Sequence, residues 1–155
     1  CEEMKNKRAL DRRGFYIIAG ICAMLILFNS LEAVAKVKDV EMFNKWHQET
    51  YLNEQIDDSN FPEYLVGNMA EYFLKTAFPV SIALTAYFAI GKSRVFGAMV
   101  YVWLVISSGG FIYHLLQWDF YSIFYYIGIV LYIILIVKTY SIALIGTYNS
   151  SEGGD

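Results

Sequence analysis

Glu71 and Lys75 stand four residues apart inside a long apolar stretch, carboxylate first, the order that favours an ion pair along one helix face. His114 lies near the end of another apolar stretch, with Tyr121 and Tyr125 just beyond it. Ionisable groups are costly within a membrane span, so they usually face the protein interior and mark a site or a path. The chemistry expected of these residues is an outward-opening polar pocket lined by Glu71, Lys75, His114 and Tyr121 or Tyr125. Asn29 and Glu32 reach the same level from the first apolar stretch. A plainer reading leaves Glu71 and Lys75 in the outer headgroup region, because their helix is longer than a bilayer requires.

Other chemistry finds less support. No span carries the His-x-x-x-His or Glu-x-x-His spacing that builds a metal site on one helix face, so no metal ligand is expected, and nothing indicates a particular cofactor or nucleic acid. His47, beside Trp46, reads as a solvated interface residue. Ser107 and His114 share a face but lie roughly 10 Å apart along the axis, too far for a nucleophile and its base. Gly109-Gly110 falls mid-span, where close helix packing explains it better than a phosphate cradle. Cys1 and Cys22 match no disulfide or redox pattern. The chain offers no evident internal repeat.

The elements that must position these residues follow from the distribution of charge. The 155-residue chain is 57% hydrophobic and 17% aromatic, more than a soluble domain carries. Its charges gather in the first thirteen residues, between Lys36 and Glu63, and at Gly91-Lys92-Ser93-Arg94. Long runs between them hold almost none, whereas a soluble element needs a wet face at helical or strand period. About twenty apolar residues cross a ~30 Å hydrocarbon core. The expected spans are about 15–35, 65–90, 95–116 and 120–138, with an outer loop at 36–64 and a cytoplasmic tail at 139–155. The first stretch is too long for a signal-peptide core and lacks a small-x-small cleavage site, so a retained helix is expected.

Within the outer loop, Val37, Val40, Phe43, Trp46 and Thr50 or Tyr51 recur at helical spacing and predict a short amphipathic helix. Ser59 or Asn60, followed by Pro62 and Glu63, signals a helix start. Pro79 falls mid-span and should kink its helix. Lys5, Lys7, Arg8, Arg12, Arg13, Lys92, Arg94 and Lys138 fall on one side of four spans, and the side richer in Lys and Arg faces the cytoplasm. Both termini are therefore expected in the cytoplasm, with the plasma (inner) membrane as the location. Cys1 reads as a lipid-modified terminus or, given the basic charges beside it, as a fragment boundary.

Each span also has one face unlike the rest. Ala19, Cys22, Ala23, Ser30 and Ala33 form a smooth arc on the first. Asn68, Glu71, Lys75, Pro79, Ala83 and Ala86 mark the second; Trp103, Ser107, Gly110 and His114 the third; Tyr121, Tyr125, Gly128, Tyr132 and Thr139 the fourth. Ser107, Gly110 and Gly128 are the expected close-packing positions, because small residues and interhelical hydrogen bonds hold spans together in lipid. The first span, the outer loop and Glu71 in the second span resemble the outline of small four-helix DoxX-like membrane proteins. The stretch from Glu71 to the Gly91 turn is longer and poorer in glycine than that outline, and the resemblance is not adopted.

The resulting expectation is an all-α, single-domain, integral membrane four-helix bundle, N-in and C-in, with a short amphipathic helix in its outer loop. Its expected role is that of a non-enzymatic subunit of a larger membrane complex, with lipids and a protein partner around it. The alternatives are a homo-oligomeric small channel or transporter with an outward-facing polar pocket, and an accessory to a membrane redox or lipid enzyme.

Overall fold

The computed structural model describes residues 10, 12–51, 58–90, 93–117 and 122–151. These form five α-helices: α1 (Arg12–Lys38), α2 (Val40–Thr50), α3 (Phe61–Ala89), α4 (Ser93–Leu116) and α5 (Ile123–Ser151), with a 3₁₀ turn, Asp58–Asn60, ahead of α3. The 27 residues of α1 and the 29 of α3 reach about 40 Å at 1.5 Å per residue, enough to cross the hydrocarbon core. Helix α5 continues past Lys138, where the last span was expected to end, to Ser151.

Helix α1 packs against α3 and α5, and α4 packs against the same two. Leu10 bridges to Ile90, and Gly14 approaches Ile142. The start of α1, the end of α3 and the later half of α5 therefore share one end of the molecule, opposite α2. Between the helices lies a core of Ile18, Cys22 and Leu25 from α1, Ile82 and Ala86 from α3, Trp103 from α4, and Tyr132 and Leu135 from α5. The Trp103 indole N–H, which must find an acceptor when buried, donates to Thr85 Oγ1 at 2.8 Å.

The outward faces are apolar. Leu27, Leu84, Val105 and Val130 are each more than half exposed. In water such surface would be a severe liability; in hydrocarbon it is the required solvent-facing side. Four helices are long and apolar enough to cross a membrane. The chain is a multi-pass, all-α integral membrane protein, and its described residues contain no cluster of three His, Cys, Asp or Glu side chains fit to hold a metal ion.

Helix α1 turns inward a face that shares Cys22 with the expected small-residue arc and leaves Ala19, Ser30 and Ala33 half-buried at its flank. Its buried residues are Ile18, Cys22, Leu25, Asn29 and Glu32, while Ala23 is exposed. Spacings of four and three repeat along that face, a seam for packing one helix against others. On that face Asn29 and Glu32 meet partners on α3.

Asp39 opens α2 as its N-cap, its Oδ1 accepting from the amides of Glu41 and Met42. The helix folds back over the ends of α1 and α3, burying Phe43 and His47 and leaving Val40 70% exposed. His47 corrects the expectation of a solvated side chain: it is 1% exposed. It follows Phe43 by four residues, so it shares Phe43's face, and Asn60 Nδ2 lies 3.1 Å from its Nε2. Asn60 is the N-cap residue of α3, but its side chain makes no cap hydrogen bond. Phe43, Trp46, Phe61 and Tyr64 complete an aromatic cluster with ring centroids 5.4–6.2 Å apart.

Candidate functional site

Helix α1 carries Asn29, Glu32 and Lys36, and α3 carries Asn68, Glu71 and Lys75. Both sets follow one pattern, Asn-x-x-Glu-x-x-x-Lys, with the same offsets of three and four. This is a local repeat that the sequence reading missed. It was visible as the recurrence of the few polar side chains within two apolar stretches. Offsets of three and four place each set on one helix face. The two helices run in opposite directions, so each Glu meets the other helix's Lys.

A closed ring of four alternating charges results. Lys36 Nζ lies 2.9 Å from Glu32 Oε1 and 3.0 Å from Glu71 Oε1. Lys75 Nζ lies 2.6 Å from Glu32 Oε1 and 2.9 Å from Glu71 Oε1. Two contacts run along a helix and two cross between helices, so every charge has one neighbour of each kind. The ring is graded in depth: the Glu32 and Lys75 side chains are 5% exposed, against 31% for Glu71 and 17% for Lys36. A cavity of about 10 Å³, the room of a single water, adjoins all six repeat residues.

Two backbone contacts fasten the ring. Asn29 Nδ2 donates to the carbonyl of Lys75 at 3.4 Å, and the Tyr64 hydroxyl donates to the carbonyl of Lys36 at 2.9 Å. The Lys75 carbonyl lacks its usual helical donor, because residue 79 is a proline without an N–H, while the Lys36 carbonyl, in the last turn of α1, also takes the Asp39 amide at 3.4 Å. Local symmetry stops there, because Asn68 turns back to the Tyr64 carbonyl on its own helix. Beside the ring, Ser30 and the Tyr72 hydroxyl lie 3.1 Å apart.

His114 and Tyr125 do not line this cavity. His114 is buried at the α4–α5 contact, stacked on the Tyr125 ring with centroids 5.4 Å apart and its Nε2 3.0 Å from the Tyr125 carbonyl oxygen. Tyr121 lies outside the described residues. Thus Glu71 and Lys75 come together with Glu32 and Lys36, while His114 and Tyr125 form a separate pair.

Gly110 and Gly128 lie beneath two rings in a reciprocal arrangement. A Cβ on Gly128 would overlap the His114 ring, and one on Gly110 would stand 2.9 Å from the Tyr132 hydroxyl and 2.8 Å from its ring edge. Gly110 and His114 are one turn apart on α4, as are Gly128 and Tyr132 on α5. Each helix offers one hollow and one ring to the other, which brings the backbones close in lipid. Ser107 is fully buried on the same stripe, and its hydroxyl has no hydrogen-bond partner among the described residues.

A wider groove opens at the α2 end of the molecule, with a volume of about 730 Å³. It lies between α2, the first turns of α3 and the last turn of α4, and it reaches the ring at Lys36, Asn68 and Glu71. The ring is therefore approached from the α2 side and closed toward the core. No protein-family model matches this chain, and no curated protein or solved structure matches it.

Proposed function

We propose that the chain is a non-enzymatic four-helix membrane bundle, with both termini in the cytoplasm, that serves as a subunit of a larger membrane assembly. The observation that carries this reading is the ion-pair ring. Glu32, Lys36, Glu71 and Lys75 answer one another, and His114 is engaged by a backbone carbonyl. Charges inside a span either serve a path or pair among themselves, and pairing supports a fastener between α1 and α3. The filled core around Trp103, Ile18 and Leu135 supports it too. The acidic outer loop offers a docking surface.

The test is the mass and composition of the protein extracted in mild detergent from its native membrane. A stoichiometric second polypeptide is the expected result, and a monomer or pure homo-oligomer under the gentlest extraction overturns the reading. Sidedness is checked separately with single cysteines at Lys45 and Lys138. An impermeant thiol reagent should label position 45 in intact cells and spare position 138.

The groove that reaches Glu71 and Lys36 favours a second reading, a homo-oligomeric channel or transporter with an outward-facing pocket. It predicts flux in vesicles reconstituted with the protein alone, changed by Glu71→Gln; absence of flux from the wild-type oligomer rules it out.

A further inference from the structure

We propose that the groove at the α2 end binds one zwitterionic glycerophospholipid, its headgroup under α2 and an acyl chain along α3. At about 730 Å³ the groove falls in the ~300–1,000 Å³ range of small-molecule sites. Its two halves differ in chemistry. Lys45 and Glu49 overhang it from α2, one turn apart, and neither has an ion-pair partner among the described residues. Along the other edge, Ala70 and Leu74 of α3 are exposed to the hydrocarbon side. A polar roof continuous with an apolar wall matches an amphiphile lying across the membrane interface.

The charges select the headgroup. Side chains one helical turn apart are about 5–6 Å apart at Cβ, the scale of the two-carbon link between a phosphate and its ammonium. Lys45 meets the phosphate, while Glu49 and the exposed edge of Glu71 meet the ammonium. An anionic lipid would satisfy Lys45 but face both carboxylates. Trp46, Tyr64 and Tyr113 line the same space; aromatic rings settle at headgroup level and attract ammonium groups through their faces. A partner helix fits less well, since it would leave the Lys45 and Glu49 half of the groove unmatched.

Gly67 of α3 lines the groove at an exposed position. A Cβ there would meet no atom within 4 Å, unlike those on Gly110 and Gly128. A side chain at Gly67 therefore starts in open space beside the groove.

The test uses the full chain in nanodiscs of mixed phosphatidylethanolamine, phosphatidylcholine and phosphatidylglycerol, followed by native mass spectrometry of the released protein. About one retained phosphatidylethanolamine or phosphatidylcholine per chain is expected. Gly67→Trp should reduce retention at least tenfold with helix content and melting temperature unchanged. Lys45→Gln with Glu49→Gln, both at exposed positions, should reduce it without filling the groove. Equal retention by wild type and both variants, preferential retention of phosphatidylglycerol, or a photo-crosslink from position 67 to a polypeptide overturns the proposal. The assembly reading fails or stands separately, because it is decided by whether a polypeptide co-purifies, and this test by which lipid stays.

Discussion

Asn29 on α1 donates to the carbonyl of Lys75 on α3, the one carbonyl that Pro79 deprives of its helical donor. A defect in one helix is answered by a side chain from another, at the level where two lysines and two glutamates also meet. The contact at 3.4 Å is long, so its worth lies at the low end for a hydrogen bond, about 0.5–1 kcal/mol.

That relationship predicts an interaction between two positions that do not pair directly. Asn29→Leu should destabilise the protein by about 1 kcal/mol in the wild-type background, where it leaves a buried carbonyl unsatisfied. In a Pro79→Ala background, which restores the backbone donor, the same change should cost markedly less. Unfolding of the four proteins in mixed micelles gives the coupling energy; strict additivity would mean that Asn29 does not serve the proline's carbonyl.

The ring predicts that breaking is worse than removal. Lys75→Met alone leaves two carboxylates, Glu32 and Glu71, sharing the single ammonium of Lys36, at a cost of about 3–5 kcal/mol. Glu32→Leu together with Lys75→Met should recover much of that loss, because two desolvated charges disappear together. Thermal unfolding in detergent checks both, and a double variant no better than the single would show that the pair stabilises the fold outright.

Charge order, and not charge location, should be the requirement. Reversing all four residues, Glu32→Lys, Lys36→Glu, Glu71→Lys and Lys75→Glu, preserves the alternation and should yield folded protein in the membrane. Reversing Glu32 and Lys36 alone sets like charges against each other across both interhelical contacts and should lower yield and melting temperature sharply. Fluorescence-detected size exclusion compares the two.

Gly128→Ala should cost about 1–3 kcal/mol, the usual penalty for overpacking, despite the better helix propensity of alanine. His114→Ala should rescue it by clearing the overlapping ring. The matching experiment is Gly110→Ala with Tyr132→Leu. Rescue in both pairs is expected from melting curves, and a tolerated Gly128→Ala would contradict the close approach.

The spans were legible because an apolar run of bilayer length has few other uses, and the α4 stripe of Trp103, Ser107, Gly110 and His114 is the buried one because helical period leaves little choice. The ring was half legible. Glu71 and Lys75 drew notice as an i,i+4 pair inside a span, and Glu32 as a group at the same depth, but Lys36 was counted with the outer loop. Which side chains face across two helices is a tertiary fact, and only the repeated spacing hinted at it. His114 was grouped with Glu71 by depth alone; depth says nothing about which side of a helix a residue occupies. His47 was misread because Trp46 beside it suggested an interface belt, whereas Phe43 one turn earlier was the better guide.

Four alternating charges on a square make an electric quadrupole. Their monopoles sum to zero, and opposite corners carry like sign, so their dipoles cancel as well. Such a source has a field that dies away faster than that of an ion or a single pair. It draws few counterions and contributes no gating charge, since a membrane voltage does work only on net charge moved across it. Two spans that hold four ionised side chains are thereby free to tilt or shift in depth together, and the transmembrane potential has almost no grip on them.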